Sequence, residues 1–175
     1  MEVRAAQAGE VDQLAKLWHN AWHDGHADIV PAELTHLRTL DSFRDRLPAL
    51  LPSVRVVGPL GEPIGLCVVR GDELYLLYVS AASRGSGVAA VLMADAEDRL
   101  RESGVETVWL ACDIGNERAA RFYEKCGWRR AGTMVIRLEA PEGKFPLDVW
   151  RYEKSLLPTA GAPPRAGRGP AWRSE

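Results

Sequence analysis

Residues 73–90 of the chain read ELYLLYVSAASRGSGVAA, and this stretch joins a strand to a helix through a loop of small residues. Residues 73–79 are apolar after the first acid and rich in tyrosine and leucine, which predicts a largely buried strand. The loop RGSG at 84–87 leads directly into helical periodicity. Glycines let backbone N–H groups approach a ligand closely, and the N-terminus of a helix favours an anion. The stretch therefore predicts a phosphate-binding loop at residues 84–89.

The rest of the chain alternates between helical and strand periodicity in an order typical of a mixed sheet. Upstream, helices are predicted from residue 11 to Gly25, from Pro31, and from Asp41 as an N-cap. Turn sequences separate the next three strands, which predicts an antiparallel meander. The strands are predicted at 3–6, 53–57, 64–70, 73–79, 105–112, 128–138 and 147–156, with helices after Gly87 and Asn116 and a loop around Pro141, Gly143 and Pro146. This order indicates the α/β (α+β) class, with helices on both faces of the sheet.

Length and composition predict one ordinary globular domain. We assign it to residues 1–156, followed at 157–175 by a Pro/Gly/Ala/Arg tail that is predicted to be disordered. The formal charge of −2 gives no reason to expect nucleic acid as a partner. The N-terminus lacks the apolar core of a signal peptide, and the apolar runs are too short to span a membrane. We therefore expect a cytoplasmic protein with neither a membrane nor a nucleic-acid partner.

The cysteines predict neither a disulfide framework nor a metal centre. Cys67, Cys112 and Cys126 are odd in number, far apart and surrounded by apolar residues. No C-x-x-C pair occurs, so buried reduced thiols and the absence of a metal are expected.

Two common phosphate-binding patterns can be compared with the loop. The Walker pattern requires Gly-Lys-Ser/Thr at its end, and here Val88 follows Gly87, which excludes it. The dinucleotide pattern G-x-G-x-x-G/A fits Gly85, Gly87 and Ala90, with Asp113 as the later acid. However, this loop follows an antiparallel meander instead of opening a βαβ unit. A dinucleotide-dependent oxidoreductase is therefore a weak alternative.

A third interpretation uses two patterns in sequence order. The first is Arg84-x-x-Gly87-x-Ala89, and the second is Asn116-x-x-Ala119-x-x-Phe122-Tyr123-x-x-x-Gly127-Trp128. Together they closely resemble the GNAT superfamily of acyl-CoA-dependent N-acyltransferases. The resemblance extends to the element order of residues 2–156 and implies a mostly antiparallel sheet of about seven strands. Ala89 in place of the last glycine and Trp128 in place of phenylalanine are the departures from the family pattern.

The resemblance implies that acetyl-CoA is the acyl donor. In the family, the first pattern holds the pyrophosphate and the second lines the pantetheine arm. Backbone N–H groups near Val79 face the acyl carbonyl, where the fourth strand splays from the fifth. The cofactor-binding residues implied in this way are Leu77, Tyr78, Val79, Arg84, Gly85, Ser86, Gly87, Val88, Ala89, Asn116, Ala119 and Phe122.

The resemblance also implies catalytic roles. Tyr123 matches the tyrosine beside the sulfur, and a phenol of pKa ~10 can protonate a departing thiolate of pKa ~8.5. Glu73 matches the glutamate with which many relatives deprotonate the amine. Asp113, His23 and His26 stay open as alternative bases.

The function predicted from these residues is direct acetyl transfer from acetyl-CoA to a primary amine without a metal. The acceptor is a small-molecule amine or a protein or peptide amine, and its specificity is expected in residues 19–52 and 139–147. Many relatives dimerise, and an apolar edge strand at 147–156 is a candidate dimer interface. The alternative function is a non-catalytic acyl-CoA-binding or regulatory module on the same fold.

Overall fold

The computed structural model describes residues 1–158, which form one seven-stranded sheet with helices on both faces. The strands are β1 (Val3–Ala5), β2 (Val54–Val57), β3 (Gly65–Arg70), β4 (Glu73–Val79), β5 (Thr107–Asp113), β6 (Arg129–Ala140) and β7 (Gly143–Ser155). The helices are α1 (Val11–His26), α2 (Ala32–Leu37), α3 (Leu40–Leu50), α4 (Val88–Glu102) and α5 (Glu117–Lys125). The predicted disordered tail lies outside the described residues from position 159 onward.

The sheet consists of two antiparallel parts that meet at β4 and β5. Its strand order is β1-β2-β3-β4-β5-β7-β6, and the predicted meander of β2, β3 and β4 is confirmed. The parallel contact of β4 with β5 is limited to the pair Glu73 and Trp109. The backbone N–H of Trp109 donates to the carbonyl of Asp72 at 3.1 Å, and its indole donates to the Asp72 carboxylate at 2.9 Å. The two strands are thus joined at one end and separate beyond it.

Each face of the sheet has its own apolar core, because successive side chains of a strand point to opposite faces. Leu66 and Val68 of β3 pack with α1, α2 and α3, whereas Cys67 between them packs with α4. On the α4 face, Gly65 allows a very close approach, since an added Cβ would lie 2.6 Å from Val88 Cγ1. The start of α4 is therefore held directly against β3.

Two local predictions are corrected by the structure. Thr39, and not Asp41, is the N-cap of α3, because its extended backbone places Oγ1 3.2 Å from the backbone N–H of Ser42. The predicted loop around Pro141, Gly143 and Pro146 is largely strand, since β6 and β7 continue to Ala140 and Gly143. Pro146 is tolerated because β5 pairs with β7 only as far as Val149, which leaves one side of β7 open at the proline.

The strand at the edge of the sheet is also different from the prediction. β7, which contains most of residues 147–156, lies between β5 and β6, and β6 is the edge strand. The segment proposed as a dimer edge is therefore internal. Within residues 1–158, none of the helices is both long and apolar enough to cross a membrane.

Candidate active site

The separation of β4 from β5 opens a cavity of about 420 Å³ between the two strands. Residues 77–79 of β4 form one wall, and residues 111–113 of β5 form the other. The phosphate-binding loop and the start of α4 lie along its rim, α5 contributes one face, and the C-terminal end of α1 closes it from the other side. The cavity therefore brings together the two sequence patterns that begin at Arg84 and at Asn116.

The loop at 84–87 has the backbone that its glycines predict. Gly85 has φ 77° and Gly87 has φ 90°, both in the left-handed region that residues with a Cβ rarely adopt. Gly87 is the N-cap of α4, so the unpaired N–H groups of the first helical turn lie beside the loop. An added Cβ at either glycine would meet nothing within 4 Å, so the space in front of the loop is open. This geometry suits a bound phosphate.

Ser86 is the one loop residue that does not line the cavity. Its hydroxyl donates a short hydrogen bond to the carbonyl of Ser83. Its backbone N–H donates to the same carbonyl at 3.4 Å, so Ser86 stabilises the turn.

Arg84 forms an ion pair with Asp24 at the end of α1. Arg118 of α5 lies 3.5 Å from the same carboxylate. The hydrogen bond from Arg84 lowers the pKa of Asp24 below its usual value. These three residues join α1, the loop and α5 across one end of the cavity. Neither Asp24 nor Arg118 is a defining position of a motif, so no signal in the sequence indicates either residue.

The second pattern forms the cavity face of α5 because its members recur at helical spacing. Asn116 caps the helix, and its side-chain oxygen accepts from the N–H of Ala119 at 3.3 Å. Ala119, Phe122 and Tyr123 follow along the cavity. The N-cap role and the cavity position of Asn116 are thus compatible, since its Nδ2 is not used in the cap.

Two backbone donors of β4 face the gap between the strands. The N–H of Ser80 donates to the carbonyl of Ile64 at 2.9 Å, toward the β3 side. Successive N–H groups of a strand alternate between its two edges, so those of Val79 and Leu77 point toward β5. Because β5 is no longer paired with β4 there, these two N–H groups have no partner strand. They are placed to bind a carbonyl oxygen in the cavity.

Tyr123 lies half-buried among aromatic rings at the cavity wall. Its ring centroid is 5.8 Å from those of Phe122 and Tyr152 and 6.3 Å from that of Trp128. Burial raises the pKa of the Tyr123 phenol well above its usual value. The phenol therefore remains protonated at neutral pH and can act as a proton donor.

Cys112 also lines the cavity, and sequence analysis gave it no role in catalysis. Its thiol is buried, and this burial raises its pKa to about 12. The protonated thiol is a poor nucleophile, because the thiolate is the reactive form.

Glu73 lies at the joint of β4 and β5 and is not among the residues that line the cavity. Its carboxylate is 3.4 Å from Arg70, and burial raises its pKa. A raised pKa suits a base, but Glu73 lies at the closed end of the gap, where β4 and β5 are still paired.

The other candidate bases separate into two groups. His23 lies away from the cavity, with Nε2 2.6 Å from the carbonyl of Arg38. His26 and Asp113 both line the cavity, and His26 Nε2 lies 3.3 Å from Asp113 Oδ2. The sequence indicates each residue only as a separate candidate base and does not predict their contact. Within residues 1–158, no group of three or more His, Cys, Asp or Glu side chains is arranged to hold a metal ion.

The site combines a loop that suits a phosphate, a gap between two strands with unpaired backbone N–H donors, and the phenol of Tyr123. Acyl transfer from a nucleotide-linked thioester requires these three features. The sheet is mostly antiparallel, so it does not provide the doubly wound parallel sheet of the dinucleotide alternative. The geometry therefore corresponds to the N-acyltransferase class.

Comparison with known proteins identifies the family. The sequence pattern of the acetyltransferase (GNAT) family matches residues 13–128. An uncharacterized N-acetyltransferase of Mycobacterium tuberculosis is 34% identical over 119 residues, which cover 65% of this chain and 74% of that protein. The peptidyl-lysine N-acetyltransferase YjaB of Escherichia coli is 27% identical over 139 residues, which cover 78% and 87%.

A solved structure supports the same assignment at the level of the fold. The PaiA N-acetyltransferase of Thermoplasma acidophilum, in complex with coenzyme A, is 16% identical, with a TM-score of 0.67. The match covers 88% of this chain and 98% of that one. The chain belongs to the GNAT acetyltransferase family and is an acyltransferase, so the predicted family and fold class are confirmed.

Proposed function

We propose that the protein transfers an acetyl group from acetyl-CoA directly to a primary amine. The observation that carries the proposal is the cavity between β4 and β5, which contains both the loop at 84–89 and Tyr123. A phosphate site at one end and a proton donor further along fit a long nucleotide thioester. The coenzyme A bound to the Thermoplasma relative supports the same donor class.

The residues proposed to bind acetyl-CoA are arranged along the length of that molecule. The loop and the first turn of α4 bind the pyrophosphate through backbone N–H groups. The pantetheine arm lies between the separated strands and against α5. The acyl carbonyl accepts from the N–H groups of Val79 and Leu77, which act as an oxyanion hole as charge develops on the oxygen. The cavity-lining members of this set are Leu77, Tyr78, Val79, Arg84, Gly85, Gly87, Val88, Ala89, Asn116, Ala119 and Phe122.

The proposed reaction is a direct attack in a ternary complex. The neutral amine attacks the thioester carbon, a C–N bond forms, and the carbonyl electron pair moves to oxygen. When the intermediate collapses, the C–S bond breaks and the sulfur takes the proton of the Tyr123 phenol. The nitrogen gives up its extra proton to a base, and this proton returns through solvent to the tyrosinate. Because Cys112 is protonated, a covalent acyl-cysteine intermediate is not part of the proposal.

The acceptor is proposed only as a class. The Escherichia coli relative is named for peptidyl-lysine, and other relatives, one of them from Parafrankia, are named mycothiol acetyltransferases, so both peptide and small-molecule amines belong in a screen. The Parafrankia match covers 41% of this chain and 21% of that protein, which gives it little weight in choosing an acceptor.

The test is release of free thiol from acetyl-CoA in the presence of spermidine, an aminoglycoside, an amino acid or a lysine peptide. We expect amine-dependent release from at least one acceptor and a drop in kcat of about 10²-fold or more for Tyr123→Phe, the scale of a lost general acid. The acetyl-CoA Kd of this variant, measured by calorimetry, should stay near that of the wild type. Tight acetyl-CoA binding without thiol release for any amine would instead favour the non-catalytic module. Unchanged turnover in Tyr123→Phe would remove the proposed acid.

A further inference from the structure

His26 and Asp113 come from opposite sides of the cavity and meet at its wall. His26 is in the last turn of α1, and Asp113 is the last residue of β5. Nε2 of His26 lies 3.3 Å from Oδ2 of Asp113, and the two side chains are 10% and 14% exposed. A carboxylate and an imidazole that are both shielded from bulk water interact more strongly than an exposed pair.

The histidine is fixed at its other nitrogen as well. Nδ1 lies 2.8 Å from the carbonyl of Trp22, which can only accept, so Nδ1 carries a hydrogen. The imidazole also stacks on the Trp22 ring, with centroids 5.2 Å apart and an interplanar angle of 18°. The hydrogen bond and the stacking both come from Trp22, so α1 itself sets the orientation of the ring that contacts Asp113.

Asp113, in contrast, has unused acceptor capacity. In the described part of the chain its carboxylate contacts His26 and accepts no hydrogen bond from any side chain or backbone N–H. A carboxylate has four acceptor positions, and a buried one without donors gains by accepting an N–H from a ligand. Asp113 lines the β5 wall of the cavity, and Leu77 and Val79 line its β4 wall. An acyl carbon held by the N–H groups of Val79 and Leu77 would therefore lie in the same cavity as this carboxylate.

We propose that Asp113 is the general base that takes the proton from the acceptor amine, and that His26 is the positioning residue that fixes its carboxylate. The proposal rests on the acetyl transfer described above. After attack, the nitrogen carries one proton too many, and this proton moves to the Asp113 carboxylate while the phenol of Tyr123 protonates the sulfur. The proton on Asp113 then returns to the tyrosinate through solvent, so the step neither gains nor loses protons.

The surroundings of Asp113 set its basicity. Burial raises the pKa of its carboxyl, and the charges of His26 and Arg38 oppose this increase. The titratable groups that face it from the neighbouring elements are those of His26 on α1, Arg38 after α2, Tyr78 on β4, Tyr123 on α5 and the adjacent Cys112. A base must be deprotonated to act, so kcat should rise with pH through the titration of Asp113 and then become constant.

The test compares kcat, the amine KM and the pH profile of three variants, with the amine from the screen that gives the highest rate. Asp113→Asn keeps the shape of the side chain and should lower kcat by about 10²- to 10⁴-fold, the range of a lost general base. The increase of kcat with pH at the acidic end of the profile (the rising limb) should disappear in this variant. Its acetyl-CoA Kd should remain near that of the wild type. Glu73→Gln is the matched test of the other candidate base, and we expect it to retain the limb.

His26→Gln tests the positioning role by a readout that simple loss of packing would not change. His26 lowers the pKa of Asp113, so its removal should increase that pKa and move the rise of kcat to higher pH. This variant also decides the proposal if Asp113→Asn does not fold. If the wild type is active, an unchanged rise of kcat with pH in Asp113→Asn or in His26→Gln would overturn the proposal. Loss of that rise in Glu73→Gln would assign the base to Glu73 instead. A wild type that binds acetyl-CoA and acetylates none of the amines would overturn the proposed function together with this one.

Discussion

Cys112 places a thiol on the cavity wall beside the proposed path of a thioester, yet the structure keeps this thiol unreactive. It is 3% exposed, and a pKa of about 12 leaves almost no thiolate at neutral pH. We expect Cys112→Ala to retain kcat within about threefold, since the change removes no reacting group and only a small buried volume. Steady-state kinetics on the best acceptor of the screen will measure this.

A second measurement excludes a covalent route directly. Protein mixed with acetyl-CoA in the absence of amine should show no increase in mass beyond the intact chain under denaturing mass spectrometry. An acetyl adduct on Cys112, together with loss of activity in Cys112→Ala, would replace direct transfer by a two-step reaction through the thiol.

At the level of single residues, the sequence could predict those that act together along one element. Asn116, Ala119 and Tyr123 are spaced so that one face of α5 presents all three, and this spacing is visible in the sequence. His26 and Asp113 are on different elements, and nothing in either local sequence indicates that they meet. Glu73 is the opposite case. Its strand is predicted correctly from the sequence, but the pairing of β4 with β5 that keeps Glu73 out of the cavity is not.

At the level of elements, α1 is connected to the cofactor loop and to α5 through one exposed carboxylate. Asp24 pairs with Arg84 and lies 3.5 Å from Arg118, so it occupies guanidinium groups that a bound phosphate would attract. Such an exposed pair contributes about 0.2–1 kcal/mol. A pyrophosphate bound at the loop as proposed would therefore compete with Asp24 for Arg84.

Asp24→Asn should remove this competition. We expect acetyl-CoA to bind more tightly, by up to about fivefold, which is the affinity equivalent of an exposed ion pair. The gain should shrink at high salt, because screening weakens both the ion pair and the phosphate contact. Calorimetric titration at low and high ionic strength measures both effects.

Asp28→Asn is the matched control, since Asp28 is exposed just after α1 and forms no ion pair in the described residues. It should leave the acetyl-CoA Kd unchanged. Weaker binding in Asp24→Asn would mean that the pair orders the loop for the cofactor, and the competition described above would then be wrong.

The elements themselves were largely predictable, and the exceptions have physical causes. Periodicity identified β4, α4 and α5 within a residue or two, because each buries one face against a single core. The predicted β6–β7 hairpin is interrupted, because two prolines and a glycine outweigh the strand pattern between Pro141 and Pro146. The open side of β7 at Pro146 depends on where β5 ends, and this is a property of the sheet, which the local sequence does not contain.

For the whole molecule, the first strand is attached to the rest through one buried carboxylate. Glu10 is 2% exposed and pairs with Arg4 of β1 at 2.7 Å. It also accepts from the backbone N–H of Gln7 at 2.9 Å and from that of Gly61 at 3.0 Å, in the turn between β2 and β3. The carboxylate thus connects β1, the start of α1 and a distant turn, and the sequence shows none of these contacts because its partners are far apart in the chain.

These contacts make the stability of the protein sensitive to acid. The hydrogen bonds from Arg4 lower the pKa of Glu10 to about 2 from an ordinary value of 4.5. A carboxyl pKa that is lower in the folded than in the unfolded protein means that the ionised carboxylate stabilises the fold. For Glu10 this contribution is about 3 kcal/mol at pH values above the unfolded-state pKa, and it is lost as the pH falls from about 4.5 toward 2.

Glu10→Gln tests this directly, because it keeps the size of the side chain and removes the charge. In urea unfolding at pH 7, we expect the variant to be less stable than the wild type by about 2–3 kcal/mol, since Arg4 is left without its partner. The gap should narrow as the pH is lowered through 4, where the wild type protonates the same group in its unfolded state. Glu62→Gln, at an exposed position in the same turn, should be neutral at every pH. A gap that stays constant from pH 7 to pH 3 would show that Glu10 acts through its shape and hydrogen bonds alone, and that its charge does not connect β1 to the rest of the fold.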